Sequence, residues 1–179
     1  MTIPSGQFVR LARTMMWLTT FGMVLIIGLS VLGFMIPDWT RNALLARLGQ
    51  TAAALPLTPV TQAIAAAIAA VPIAIMVWGL WHVRALFAEF AAGRVFTPAA
   101  ARHLQMFGAS VLAQAPLGPL TALAFSVGMT MVNPPGERML AIAFSINDYF
   151  ALIVGGVLFA AATVMREAAG IAEENASFV

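Results

Sequence analysis

The chain has 179 residues, of which 61% are hydrophobic and only 9% are charged. Water-soluble domains carry about 25% charged residues, so this composition excludes an ordinary soluble protein. The formal net charge of +2, without a basic stripe, excludes a direct nucleic-acid partner, and the absence of cysteine excludes disulfides, thiolate metal sites and cysteine nucleophiles.

Four long apolar segments follow one another along the chain. An α-helix rises about 1.5 Å per residue, so about 20 apolar residues cross a hydrocarbon core of about 30 Å. The segments predict membrane-spanning helices at about residues 14–36, 59–83, 104–131 and 141–165. Small residues such as Gly155 and Gly156 predict close packing between them. The chain is therefore predicted to be one membrane domain over residues 1–179, an all-α, integral membrane four-helix bundle.

The first apolar segment is interpreted as a retained span and not as a signal peptide. A signal peptide would be shorter and would be followed by a polar mature domain, whereas here Arg10 and Arg13 precede a long segment that leads into further apolar sequence. After this span, Asp38 is expected to cap a short helix that Gly49 ends. That helix fits either the membrane interface, because Trp39 lies at its start, or a packed loop.

The stretch Leu86–Leu104 joins the second and third spans and contains a helix stop and a helix start. Gly93 is expected to follow the end of one helix, because glycine readily adopts the left-handed conformation found there. Thr97 is a natural N-cap, and Pro98 suits the first helical position, where a missing N–H costs little. Residues 84–103 are therefore predicted to form a hairpin between two helices.

Arginine is distributed unequally between the two sides that four spans create. Six arginines fall on the side of the termini and the hairpin, and three fall on the other side. The six are Arg10, Arg13, Arg84, Arg94, Arg102 and Arg166. Because positive residues favour the cytoplasmic side, both termini, the hairpin and a tail at residues 166–179 are predicted to be cytoplasmic.

Polar groups within the spans indicate one candidate site, formed by Gln114 and Asp148. Gln114 lies at a similar depth to Pro72 and Pro116, and a buried amide beside proline-broken helices can line a cavity or an ion path. Alternatively, Gln114 bonds a carbonyl that a proline frees, such as that of Ile68, and is structural. Asp148 is the one carboxylate inside an apolar segment, where acids are often functional, although it also fits contact with water near the end of its span.

The other charges gather on the predicted cytoplasmic side. The arginines around the hairpin and the glutamates of the tail could pair into a docking surface for a soluble partner, or could be solvated ends. The candidate docking residues are Arg84, Glu89, Arg94, Arg102, His103, Glu167, Glu173 and Glu174. Because the chain lacks metal-ligand spacings, a phosphate loop and a nucleophile arrangement, no catalytic, cofactor-binding or metal residue is predicted.

Two motifs lie on the same side, FAAGRVFT at residues 90–97 and REAAGIAEEN at residues 166–175. The first is similar to an F-x-x-G-x-h-F-[ST] segment, where h is apolar, and the second to an R-E-G-x-x-L-x-x-E-N ending in which Ala168 replaces the glycine. Both resemble the bacterial four-span membrane proteins known as domain of unknown function 2975. The resemblance implies a location in the bacterial inner (plasma) membrane. Members are often encoded beside a small helix-turn-helix regulator, which the resemblance implies as a partner.

The sequence therefore favours a non-enzymatic, regulatory inner-membrane protein that binds or sequesters a soluble cytoplasmic partner, such as that regulator. The alternative is a small oligomeric channel or transporter subunit with a polar path near the kinked second and third spans. In both cases the lipid bilayer is the surrounding partner and no cofactor is expected, and a homo-oligomer is compatible with both.

Overall fold

The computed structural model describes residues 6–48, 58–131, 140 and 142–177, with residues 44, 46–48 and 172–177 described by their backbone alone. Every regular element in this part of the chain is an α-helix, which confirms the predicted all-α fold. In chain order the helices are α1 (Gly6–Met35), α2 (Pro37–Leu48), α3 (Pro59–Ala91), α4 (Pro98–Thr130) and α5 (Ile146–Ser177).

Four of these helices are long and apolar enough to cross a membrane, namely α1, α3, α4 and the part of α5 from Ile146 to Ile171. An 18-residue stretch within each has a mean hydropathy between 1.4 and 2.3, and the shortest helix has 26 residues, which corresponds to about 40 Å. Large apolar side chains cover the outside of the bundle, as with Trp17 and Phe21 of α1, both 65% exposed. Apolar surface on this scale suits lipid and not water, so the helices indicate a multi-pass membrane protein.

The long helices of the bundle pack in a row. Helix α1 packs on α3, α3 on α4 and α4 on α5, whereas within the described ranges α5 makes no close backbone approach to α1 or α3. The rings of Phe8 and Phe90 have centroids 5.9 Å apart, and Arg166 of α5 contacts Gln105 of α4. The start of α1 and the end of α5 therefore lie beside the loop at residues 92–97. We name this the hairpin end and the opposite one the distal end.

Helix α2 turns back across the distal end. It begins at Pro37, so the prediction that Asp38 caps this helix is wrong, and Asp38 lies within the first turn. The corner between α1 and α2 is held by the buried Thr40, whose hydroxyl donates to the carbonyl oxygen of Gly33 at 3.1 Å. Gly49, the predicted end of α2, lies outside the described residues.

A small apolar core joins α1 to α4 at the distal end. Ala65, Phe125 and Met129 are its buried members, and Phe34 of α1 and Leu45 of α2 pack against them. In water, burial of a large apolar side chain stabilises a fold by about 1.5–3 kcal/mol. In a membrane this gain is mostly lost, because the lipid around the helices is itself apolar. Close fit between helices therefore holds this core together.

The predicted helix stop and start between α3 and α4 are both confirmed. Helix α3 ends at Ala91, and Gly93 follows with a φ of 79°, the left-handed conformation that an L side chain rarely adopts. The Thr97 hydroxyl accepts a hydrogen bond from the backbone N–H of Ala100 at 3.2 Å, and α4 begins at Pro98. The turn thus uses local chemistry that is visible in the sequence.

Helix α5 begins later than the predicted fourth span. The helix starts at Ile146, and the described residues from 140 to 145 are not helical, so a helical start near residue 141 is wrong. Ser145 caps the helix, because its hydroxyl accepts from the backbone N–H of Asn147 at 3.2 Å while its own N–H donates to Asp148 Oδ2 at 2.8 Å. The bond from Asp148, at the third helical position, to the Ser145 N–H is one half of a capping box, while the Ser145 hydroxyl bonds the second helical position instead of the third.

Glycines set the distance between α4 and α5. A Cβ on Gly155 would lie 2.6 Å from the backbone nitrogen of Leu112, and one on Gly108 would lie 2.9 Å from that of Phe159. A Cβ on Gly156 would meet nothing within 4 Å. The expected role of small residues in close packing therefore applies to Gly155 and not to Gly156.

Candidate functional site

A bidentate ion pair fixes the loop at the hairpin end. Arg94 donates from Nε and Nη2 to the two carboxylate oxygens of Glu89, at 2.7 and 3.0 Å. Glu89 lies in the last turn of α3, and the positive φ of Gly93 turns the chain back toward it. The hydrogen bond from Arg94, reinforced by its charge, lowers the pKa of the Glu89 carboxyl below its ordinary value. These two predicted docking residues therefore bind each other.

Phe96 is the exposed aromatic ring of this loop. Its side chain is 69% exposed, and it stands between the ion-paired Arg94 and the N-cap Thr97. Exposed aromatic side chains on fixed backbone are typical anchors of protein interfaces. Sequence reasoning treated Phe96 only as part of a motif. The signal that it missed is an aromatic residue placed between a helix stop and a helix start.

Two other predicted docking residues are engaged in contacts between helices. Arg84 donates from Nε to the Thr20 hydroxyl of α1 at 3.2 Å, and its guanidinium carbon lies 5.4 Å from the centroid of the Trp81 ring. The Nδ1 atoms of His103 and His82 are 3.0 Å apart, so one donates and the other accepts a hydrogen bond between α4 and α3. Arg84 and His103 thus tie helices together near the hairpin end.

The remaining docking candidates lie on the surface or beyond the described side chains. Arg102 of α4 and Glu167 of α5 are exposed, and Glu167 makes no ion pair among the described residues. The side chains of Glu173 and Glu174 fall outside the description. The pairing of the tail with the hairpin therefore stays a prediction. Arg166 donates to the amide oxygen of Gln105 and so attaches α5 to α4.

Gln114 joins α4 to α3 at the level of a proline. Its Nε2 donates to the carbonyl oxygen of Pro72 at 2.9 Å. Gln114 therefore bonds a helix carbonyl, as one of the two interpretations expects, but the carbonyl is that of the proline itself and not one that a proline deprives of its N–H donor. Its amide oxygen Oε1 makes no hydrogen bond among the described residues.

Asp148 lies in the first turn of α5 and packs against α4. One of its carboxylate oxygens, Oδ2, accepts from the N–H of Ser145 at 2.8 Å. The carboxylate also lies against Gly118, where a methyl group would collide with it. Its second oxygen, Oδ1, makes no hydrogen bond within the described ranges. Helix capping therefore uses only half of this carboxylate.

Gln114 and Asp148 line the same cavity, which we name the distal cavity. It has a volume of about 810 Å³ and is formed by α1 to α4 together with residues 143–148. A second cavity of about 140 Å³ shares part of this lining, namely Pro72, Gln114, Thr121, Asn147 and Asp148. The two predicted members of an intramembrane polar site thus meet around one space.

Thr121 is a further polar residue of the distal cavity that sequence reasoning missed. It is 7% exposed, lines both cavities and makes no hydrogen bond among the described residues. Thr121 follows Gln114 by seven residues, which places both on one face of α4. That spacing was the available signal.

Comparisons with known proteins identify a family and no activity. No curated protein and no solved structure matches the chain. The family model described as "Protein of unknown function (DUF2975)" matches residues 43–179, which include the hairpin, the tail and most of the lining of the distal cavity. Because the match covers well over half of the chain, this protein belongs to the DUF2975 family.

Proposed function

We propose that this protein is a non-enzymatic, regulatory protein of the bacterial inner membrane that binds a soluble cytoplasmic partner at its hairpin end. The observation that carries the proposal is the exposed Phe96 ring on a loop that the Glu89–Arg94 ion pair fixes. A loop that is already ordered loses little conformational entropy on binding. An aromatic ring then supplies a large contact area at one position.

The exposed charges at the hairpin end and the family resemblance both indicate that the partner is a protein. Arg94 is 59% exposed, and Arg102 and Glu167 are also exposed, so charges of both signs lie at the same end of the bundle as Phe96. This arrangement fits the apolar centre and polar rim of a protein interface. The resemblance implies a small helix-turn-helix regulator, and binding to the membrane protein would hold that regulator away from DNA.

Co-purification with such a regulator in mild detergent tests this proposal. We expect Phe96→Ala to weaken retention of the regulator at least tenfold, because an anchor residue typically contributes 2 kcal/mol or more. Phe144→Ala is the matched control, since Phe144 is also an exposed ring and lies at the distal end. A wild-type protein that retains no regulator, or a Phe96→Ala variant that retains it fully, would contradict the proposal.

A second experiment addresses the tail. A chain without residues 172–179 keeps Arg166 and the buried Ala169 in place on α5. If Glu173 and Glu174 contribute to docking, this shortened chain retains less regulator than the full chain does. Equal retention would restrict the docking surface to the hairpin and to Glu167.

The second candidate function is a small oligomeric channel or transporter subunit, which the polar lining of the distal cavity favours. A continuous path across the membrane would have to run from the distal cavity between α3 and α4 to the hairpin end. There a methyl group on Gly79 would already collide with the side chain of Ser110, so the two helices would have to separate. Ion or solute flux into liposomes that disappears in a Gln114→Leu variant would support this candidate over the first.

A further inference from the structure

We propose that the distal cavity is a binding site for lipophilic cations, meaning organic cations with a largely apolar body. This site lies at the other end of the bundle from the loop that carries Phe96. Binding of a cation there therefore does not depend on whether a cytoplasmic partner binds at the hairpin end.

The polar groups of the cavity favour a positive ligand. Asp148 Oδ1 and Gln114 Oε1 are acceptors without a hydrogen bond among the described residues, because Oδ2 and Nε2 are used by Ser145 and Pro72. The buried Thr121 hydroxyl is likewise unbonded there. None of the described residues that line the cavity is an arginine, so none of them gives the carboxylate a counter-ion. An unpaired carboxylate attracts positive charge, and a cationic ligand would supply the pair.

The rest of the lining favours an apolar ligand body. Aromatic and aliphatic side chains of α1, α3, α4 and the segment before α5 surround the polar groups. They are Phe34, Ile73, Met76, Phe125 and Phe144. Aromatic faces also attract cations. The volume of about 810 Å³ lies within the range of about 300–1,000 Å³ that is usual for sites of drug-sized ligands.

The position of the cavity allows entry from the end of the membrane spans. Phe34 lies one residue before the end of α1, and Asp148 lies in the first turn of α5. Lipophilic cations concentrate near the boundary between lipid and water, where their charge stays hydrated while their body is in hydrocarbon. A ligand there reaches Asp148 without crossing the bilayer.

Close packing toward the hairpin end makes the cavity a site of binding and not of passage. The Gly79–Ser110 contact closes α3 against α4, and the Gly155–Leu112 contact closes α4 against α5. Both contacts involve glycines with no space for a methyl group. A ligand in the distal cavity therefore stays next to Asp148 while these helices keep their packing.

Equilibrium binding of radiolabelled tetraphenylphosphonium to the full chain in nanodiscs of zwitterionic lipid tests the proposal. We expect saturable binding that Asp148→Asn weakens at least tenfold, because this substitution removes the charge and keeps the shape. Triphenylphosphine, a neutral compound with three of the four phenyl groups, should bind the wild type and Asp148→Asn alike, which shows that the variant retains its cavity. Asp38→Asn is the matched control, since Asp38 is another distal carboxylate in a first helical turn that does not line the cavity.

A cavity-filling variant keeps the proposal testable if Asp148→Asn fails to fold. Ala143 lines the cavity, is exposed and lies outside the helices, so Ala143→Trp adds bulk without disturbing the capping of α5. We expect Ala143→Trp to weaken the binding of both compounds. If tetraphenylphosphonium binds both variants as well as the wild type, or binds the wild type no better than triphenylphosphine does, the proposal is wrong and the cavity is a lipid-filled space.

Discussion

Two adjacent glycines of α5 allow the effect of one added methyl group on stability to be compared at a packed and an open position. A Cβ on Gly155 would lie 2.6 Å from the backbone nitrogen of Leu112, whereas one on Gly156 would meet nothing within 4 Å. Because backbone yields less than side chains do, we expect Gly155→Ala to lower the free energy of unfolding by about 1–3 kcal/mol. Gly156→Ala should be neutral or stabilising, since alanine is the better helix former by about 1 kcal/mol. Denaturant unfolding in detergent micelles compares the two variants, and equal losses of stability would contradict the register of α4 against α5.

The Glu89–Arg94 pair makes a residue-level prediction about pH. Arg94 lowers the pKa of the Glu89 carboxyl in the folded protein, chiefly through its hydrogen bond. The stabilisation from this pair is therefore complete above the unfolded pKa of glutamate and is lost as the pH falls through the depressed folded value. In Arg94→Gln, the pKa of Glu89 should rise toward its ordinary range.

Carbon-13 NMR of the Glu89 carboxyl during a pH titration measures that change. Arg102→Gln is the matched control, because Arg102 is an exposed arginine at the same end that makes no hydrogen bond to Glu89. A titration of Glu89 that is the same in the wild type and in Arg94→Gln would show that the ion pair does not form in solution.

At the scale of the helices, a boundary could be predicted where capping or turn residues mark it in the sequence. The end of α3 and the start of α4 follow from Gly93 and the Thr97-Pro98 pair, which act through their own backbone chemistry. Hydropathy alone extends the fourth span to about residue 141, because the residues before α5 are nearly as apolar as the helix itself. The deciding signal is the S-x-x-D pattern of Ser145 and Asp148, which is polar and short and is lost when hydropathy is averaged over a window.

The N-cap of α5 can be tested by Ser145→Ala. Loss of the hydroxyl that accepts from the Asn147 N–H should cost about 1 kcal/mol and loosen the first turn of the helix. Hydrogen exchange at the amides of residues 147–149 should become faster. Thr163→Ala is a suitable control, because the Thr163 hydroxyl only donates to the carbonyl oxygen of Phe159 within the same helix. Unchanged exchange in Ser145→Ala would show that α5 does not begin at this cap.

At the scale of the whole molecule, the residues of the candidate site could be predicted, but the fact that they line one cavity could not. Gln114 and Asp148 stand out in the sequence as polar groups within spans, but their meeting depends on the register of α4 against α5, where Asp148 packs on Gly118. Hydropathy does not determine register, since turning an apolar helix changes its average little. For the same reason Arg84 and His103, predicted as surface residues, proved to bind Thr20 and His82 of neighbouring helices.

The absence of cysteine allows the orientation of the whole molecule to be measured directly. Phe96 and Phe144 are exposed rings at opposite ends of the bundle, at 69% and 82% exposure, so single substitutions Phe96→Cys and Phe144→Cys place one thiol at each end. Since six of the nine arginines lie on the side of the hairpin, we expect an impermeant maleimide applied to intact cells to label Phe144→Cys and to leave Phe96→Cys unlabelled. Permeabilised cells should show labelling of both variants, which controls for accessibility. Labelling of Phe96→Cys alone in intact cells would reverse the orientation and remove the cytoplasmic docking surface, whereas labelling of both from outside would show that the bundle does not span the membrane.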